Sequence, residues 1–302
     1  MIRRIVSDSS CDLTRFPGAD FVSVPLRILT AQKEYVDNAQ LDATAMAQEL
    51  KQYKGRSSTA CPNAADWEDA FSGADEVFAL TITSALSGSY NAAMCAKENY
   101  ESAHPHCRVF VLDTLSTGPE MLLLMEKLRD LIALQLPFDQ IVSEITDYTA
   151  HTHLLFLLSS VKNLSRNGRV SRLGAEAVGL LGLRLLGQAS SQGTLELLGK
   201  HRGQPASLRR LMQQLEDTGY AGGKVRISHC LGEEAAQQLS AAIVQKYPHA
   251  EVEIRPTGGL CSFYAEIGGL LVAMKHNYRN LQDGHRHLGG FFFIFQTSSE
   301  SA

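Results

Sequence analysis

Val77-Phe78-Ala79-Leu80-Thr81-Ile82-Thr83 runs without a break into Ser84-Ala85-Leu86-Ser87-Gly88-Ser89, and a segment carrying Tyr90, Ala93, Met94 and Lys97 follows. The first seven residues are an apolar, β-like run, and the last four positions have the spacing of a helix. A strand that passes through a short hydroxyl-rich turn into a helix is the repeating unit of an α/β fold. In open α/β sheets ligands bind beyond the carboxyl ends of strands, where the free N–H groups of the next helix point outward. Ser84, Ser87, Gly88 and Ser89 stand at such a junction.

The alternation continues in both directions. Upstream, Arg4-Ile5-Val6 reads as a first strand that ends at Ser7-Asp8-Ser9-Ser10-Cys11-Asp12. Asp42 is placed to cap a helix with Met46, Leu50 and Tyr53 on one face, and Asn63 to cap another with Trp67 and Phe71 at i and i+4. Downstream, Val109-Phe110-Val111-Leu112 is a strand ending at Asp113-Thr114-Leu115-Ser116-Thr117-Gly118, and helices are expected over 119–134 and 138–148. Past residue 150 the chain turns Gly- and Leu-rich between Asn167 and Gly187. Ser191-Gln192-Gly193 reads as a hairpin turn between 185–189 and 194–199. A helix over 205–217, a strand over 224–229, a helix over 233–247 and strands over 251–254 and 269–274 complete the pattern.

The chain has 302 residues, 44% hydrophobic and 20% charged, with a formal net charge of −4. At about 150 residues per domain this predicts two domains, with the boundary placed near residue 150. The core is ample without disulfide or metal staples. The 28 basic residues against 32 acidic ones leave no excess to neutralise phosphates, so no nucleic-acid partner is expected. Met1-Ile2-Arg3-Arg4 is not followed by an apolar leader segment, and Leu154–Leu158 and Phe291–Phe295 are too short to span a bilayer. The six cysteines at 11, 61, 95, 107, 230 and 261 form no CxxC. They read as reduced thiols of a cytoplasmic protein without stable membrane insertion.

Several chemistries lose ground on motif grounds. Gly193 to Gly199-Lys200-His201 has one residue too many for a phosphate-binding loop, and His where a hydroxyl must hold Mg²⁺. No GxGxxG and no GxSxG occurs. The pairs His104/His106, His151/His153 and His285/His287 could share a strand face, but none has a third ligand at a familiar spacing. We therefore expect no metal and no cofactor.

The hydroxyl-rich strand ends are more informative. Ser57-Ser58-Thr59-Ala60-Cys61-Pro62 and Asp113–Gly118 repeat what is seen at Ser84–Ser89. A serine before a helix is usually only a cap, yet three such segments at one sheet edge suggest a site. Helix N-terminal N–H groups suit an anionic or carbonyl head group, and hydroxyls can donate to or accept from it.

Here a resemblance enters. Ser7-Asp8-Ser9-Ser10-Cys11-Asp12-Leu13 resembles the TDSSxDL opening of the DegV family of fatty-acid-binding proteins, and Tyr35-Val36-Asp37 its YxDG element, with Asn38 for glycine. Thr59-Ala60-Cys61-Pro62-Asn63 is similar to TSQPS, Leu86-Ser87-Gly88-Ser89-Tyr90 to LSGTY, and Asp113–Gly118 loosely to DSxxxSxG. Leu164–Ser171 resembles LxxGGRIS, and Gly199-Lys200-His201-Arg202-Gly203 resembles GKxRG. Each motif is short, but they occur in order along residues 5 to about 275.

The resemblance implies an α/β fold of two domains. The first, 1–150, has a mostly parallel sheet with flanking helices; the second, 151–281, a mixed sheet with helices; a tail covers 282–302. It implies a buried tunnel for one long-chain fatty acid on which the protein performs no chemistry. The carboxylate-holding positions carry over to Thr59 and Ser87, within a candidate set that includes Ser84, Gly88 and Ser89. Arg169 and Arg202 are implied near the head group and a partner surface, and that partner would be a separate fatty acid kinase. The family's HxGPG element has no counterpart in Ser262–Gly269, where Glu266 stands about where the histidine would. An ionised Glu266 there would repel a carboxylate. Burying a methylene is worth about 0.8 kcal/mol, so the tail should supply affinity and the hydroxyls orientation. Leu173–Gly187 could line the tunnel. Two rivals stand beside this reading: a serine-dependent acyl-processing enzyme acting through Ser87, and a lipid or interaction module independent of a kinase.

Overall fold

A computed structural model describes residues 1–170 and 182–275. Ser171, Gly174, Gly179, His285, His287 and the tail over 282–302 lie outside the described residues, as does most of Leu173–Gly187. In chain order the first half contains β1 (Arg3–Asp8), β2 (Asp20–Val24), β3 (Arg27–Thr30), β4 (Glu34–Val36), α1 (Ala43–Gln52), β5 (Ser57–Ala60), α2 (Ala64–Phe71), β6 (Glu76–Thr81), α3 (Ser89–Ala103), β7 (Arg108–Asp113), α4 (Pro119–Ala133) and α5 (Phe138–Thr149). The second half contains β8 (Thr152–Leu158), α6 (Lys162–Arg166), β9 (Leu183–Ala189), β10 (Leu195–Arg202), α7 (Gln204–Asp217), β11 (Lys224–His229), α8 (Glu233–Lys246), β12 (Glu251–Pro256), α9 (Gly259–Ala265) and β13 (Leu270–Lys275).

The strands β2-β1-β6-β7 form a wholly parallel sheet, and β10-β9-β8-β13-β11-β12 a mixed one in which only the β11–β12 pair is parallel. The α/β architecture with a parallel and a mixed sheet agrees with the expectation. A third, antiparallel sheet, β4-β3-β5, was not foreseen. Its strands are three or four residues long, too short to show a period.

Side-chain alternation sets the layers. Ile5 and Phe78 pack towards α4 and α5, while Val6 and Val77 face the Trp67 and Phe71 side chains of α2 on the other side of the sheet. The predicted caps are made: Asp42 accepts from the Ala45 amide at 2.9 Å, and Asn63 and Asp66 close a reciprocal box at the start of α2. On β8, Leu155 and Leu157 enter a core with α7 and α8, and Leu154, Phe156 and Leu158 face the other way. Helix α4 is buried on nearly every side because it packs against β1 and also against β8, β11 and β13. A helix that is apolar all round belongs between layers. Glu126 on α4 meets Arg226 of β11 through two bonds of 2.7 and 2.8 Å, and Lys224 at 2.8 Å. The six cysteines are free thiols.

Candidate functional site

The opening motif is scaffolding. Asp8, fully buried, ends β1 and accepts from the Ile82 amide at 2.9 Å, from Ser89 Oγ at 2.6 Å, and from the amide and hydroxyl of Ser10. One carboxylate thus ties the end of β1 to the end of β6 and the start of α3. Burial pushes its acid upward, and the donors around it pull back. Ser9 Oγ accepts from the Leu26 amide at 3.0 Å and donates to Asp37 Oδ2 at 2.9 Å. Asp37 in turn accepts from the Gly259 and Leu260 amides at 2.7 and 2.9 Å, and Asp12 accepts from the Gly258 amide at 2.7 Å. These carboxylates fasten the first turn of α9 onto the first half of the chain. Carboxylates at a helix N-terminus satisfy donors that the helix itself leaves open.

Held this way, α9 forms one wall of a cavity of about 310 Å³, with Leu260, Cys261, Tyr264 and Ala265 facing it. The cavity also takes Thr59, Cys61, Ile82, Ser87, Gly88 and Thr117 from the first half, and Leu154, Phe156, Leu158, Leu164, Leu195 and Leu271 from the second. That volume lies at the lower end of the usual range for small-molecule sites, about 300–1,000 Å³. Its lining is mostly aliphatic, and its polar groups are contiguous. Thr59 Oγ1 and the Tyr264 hydroxyl are 2.8 Å apart, and the Arg169 guanidinium lies 6.0 Å over the Tyr264 ring. Arg169 Nε donates to the Leu86 carbonyl at 3.3 Å, next to Ser87. Ser87 Oγ accepts from the Ser89 amide at 3.3 Å, and Gly88 precedes α3 without a side-chain cap. Burial pushes the Tyr264 phenol upward, and the Thr59 bond and Arg169 pull it back. Burial and the Asp12 charge push the Cys261 thiol well up, so this wall presents a neutral thiol.

The candidate residues are therefore divided. Thr59, Ser87, Gly88 and Arg169 come together on the cavity. Ser89 is buried beneath it and committed to Asp8. Ser84 is exposed, and its amide donates to Asp113 at 3.1 Å. Arg202 is exposed at the end of β10 and does not line the cavity. Glu266 does not face this cavity either. It follows α9 at φ +55°, accepts from the Asn163 amide at 3.0 Å, and faces a separate space of about 310 Å³ with Ser159, Ser160 and Lys162. The expected repulsion of a head group by Glu266 is thereby corrected. The single sheet edge is corrected too: Thr59 is in β5, paired antiparallel to β3, and not at an end of the parallel sheet. Tyr264 was missed, since a lone tyrosine in a short Gly-, Ser- and Cys-bearing segment carries no pattern. Among the described residues no group of three or more His, Cys, Asp or Glu is placed to hold a metal ion. Among them, too, no helix is long and apolar enough to cross a membrane.

The model of the DegV family, described as uncharacterised proteins, matches residues 3–275. The chain belongs to the DegV family. A DegV domain-containing protein of Streptococcus gordonii is 45% identical over 279 residues, which is 91% of this chain and 99% of the relative. The Fatty Acid Kinase (Fak) B3 protein of Streptococcus pneumoniae, solved loaded with linoleic acid, superposes with a TM-score of 0.89 at 44% identity. That match covers 92% of this DegV chain and all of the other. A DegV family protein from Eubacterium eligens, loaded with heptadecanoic acid, gives 0.88 at 42% identity over 91% of this chain and all of that one.

Proposed function

We propose that this DegV chain binds one long-chain fatty acid in the cavity between α9, β5 and β8, with the carboxylate held by the Thr59 and Ser87 hydroxyls beside Tyr264 and Arg169. It carries the acid and presents it to a separate fatty acid kinase in the cytoplasm, performing no chemistry itself. The observation that carries this reading is an aliphatic cavity whose polar groups, Thr59, Tyr264, Arg169 and Ser87, sit together. The acids bound by the pneumococcal and Eubacterium proteins support the ligand class, and the Fak B3 designation supports the kinase. A dozen buried methylenes supply about 10 kcal/mol before the costs of association. Arg169 adds a positive charge where the carboxylate needs one. The reading divides the chain into units 1–150 and 151–281, supported by sheet membership: β8 to β13 all follow residue 150.

Solvent extraction and mass spectrometry of the purified protein should find a co-purifying acyl chain. The pair Thr59→Val and Ser87→Ala should weaken uptake about tenfold, since each hydroxyl hydrogen bond is worth about 0.5–1.5 kcal/mol. Thermal stability should change little. Wild-type protein that carries and takes up no fatty acid would overturn the reading. A serine enzyme at Ser87 would need a base, and the described cavity lining offers no His, Asp or Glu. Labelling of Ser87 by a fluorophosphonate probe would favour that rival. Phosphorylation of the bound acid on adding a fatty acid kinase and ATP tests the presenting role.

A further inference from the structure

Leu154, Phe156 and Leu158 line one side of the acyl cavity from alternate positions of β8. Phe156 is the aromatic member of this row and is only 1% exposed. Directly across the β8–β9 pair stands Gly187. A Cβ placed on Gly187 would lie 2.2 Å from Phe156 Cζ and 2.4 Å from both Cε2 and the Glu196 carbonyl oxygen, far inside the 3.0 Å that real Cβ atoms respect. The ring therefore lies over bare backbone, in space that any other residue at 187 would fill. Gly187 is not in the left-handed region, so the backbone does not ask for glycine there. On the other side of β8, Phe156 is paired with Leu271, itself part of the cavity wall.

We propose that Phe156, seated on Gly187, sets the volume the cavity offers to the acyl chain and so determines the chain length the protein selects. With Gly187 the ring is drawn against β9 and the bore is kept. With a larger residue at 187 the ring has only the cavity to move into, because interiors are packed without spare room. With a smaller residue at 156 the bore widens. The inference rests on the fatty-acid reading above and adds to it the residue pair that gauges the tail.

The test is competitive uptake from an equimolar mixture of hexadecanoic, octadecanoic and eicosanoic acids, with the bound acids extracted and counted by mass spectrometry. In an apolar pocket one methylene can be worth tenfold or more in discrimination. Phe156→Leu should therefore raise the eicosanoic-to-hexadecanoic ratio about tenfold at unchanged total occupancy. Gly187→Ala should shift the ratio the other way. Should Gly187→Ala fail to fold by circular dichroism, Phe156→Leu alone decides. An unchanged ratio in folded, fully loaded Phe156→Leu overturns the gauge and leaves the functional reading standing. Wild-type protein that takes up none of the three acids overturns that reading and the gauge with it.

Discussion

At the scale of single residues, one hydroxyl and one carboxylate separate scaffold from site. Ser87 and Ser89 are two positions apart in one motif, yet Ser87 lines the cavity and Ser89 spends its hydroxyl on Asp8. Ser89→Ala would leave a fully buried carboxylate short of a donor, which costs about 1–3 kcal/mol. Urea unfolding should show that loss, with fatty-acid affinity far less affected than in the Thr59 and Ser87 variant. Sequence could nominate all of Ser84–Ser89 as a hydroxyl cluster, but could not say which of them Asp8 would claim. Glu120 gives a second prediction. It accepts from Thr152 Oγ1 at 2.6 Å and from the Ser116 hydroxyl, with no cation among these partners, and burial pushes its acid up to about 7. Asp12 is likewise pushed up to about 7 by burial. In the unfolded chain both titrate as ordinary carboxylates, near 4, so between these limits the folded state holds extra protons. The stability they contribute is fully present below about pH 4 and is lost as pH rises through about 7. Glu120→Gln, which keeps a hydrogen-bonding group between the two hydroxyls, should flatten the fall in melting temperature between about pH 4 and 7.

Among the elements, legibility followed length and period. The long helices α4, α5, α7 and α8 and the strands β6, β7, β11 and β13 fall within a few residues of where their patterns place them, and the β9–β10 hairpin turns where Ser191-Gln192-Gly193 predicts. The segments that were not read, β2, β3, β4, β5, β8, α6 and α9, are three to seven residues long. Two of them carry polar site residues: Thr59 lies on β5 and Tyr264 on α9. The family motif located Thr59 without showing its sheet. Helix α4 supplies the prediction at this scale. Arg226→Ala would leave Glu126 buried with Lys224 alone. Breaking a buried pair costs about 3–5 kcal/mol, so denaturant unfolding should show a loss of that order. Fatty-acid selectivity should be untouched, because neither residue lines the cavity.

For the molecule as a whole, the cavity is lined from both halves of the chain, so its ligand is a tie between them. Binding to the folded state alone stabilises by mass action, about 2.7 kcal/mol at a free ligand concentration one hundred times the dissociation constant. Adding oleic acid to delipidated protein should therefore raise its melting temperature with ligand concentration, and the Thr59 and Ser87 variant should need more ligand for the same rise. The mixed sheet, whose strands β8 to β13 all follow residue 150, begins near the change in composition there. The cavity was not, because it exists only where the parallel sheet, the small sheet and the mixed sheet meet.

The clamp on α9 also has a consequence in time. Asp37 is bonded to amides 222 and 223 residues further along the chain. At about 5–20 residues per second of synthesis, that separation is tens of seconds. Throughout that interval the emerging first half holds Asp12 and Asp37 without their amide donors, and Thr59 without Tyr264. The α9 wall of the cavity is made only after Asp12, Asp37 and Thr59 have all emerged, so the cavity of a newborn molecule cannot close before residue 265 has been added.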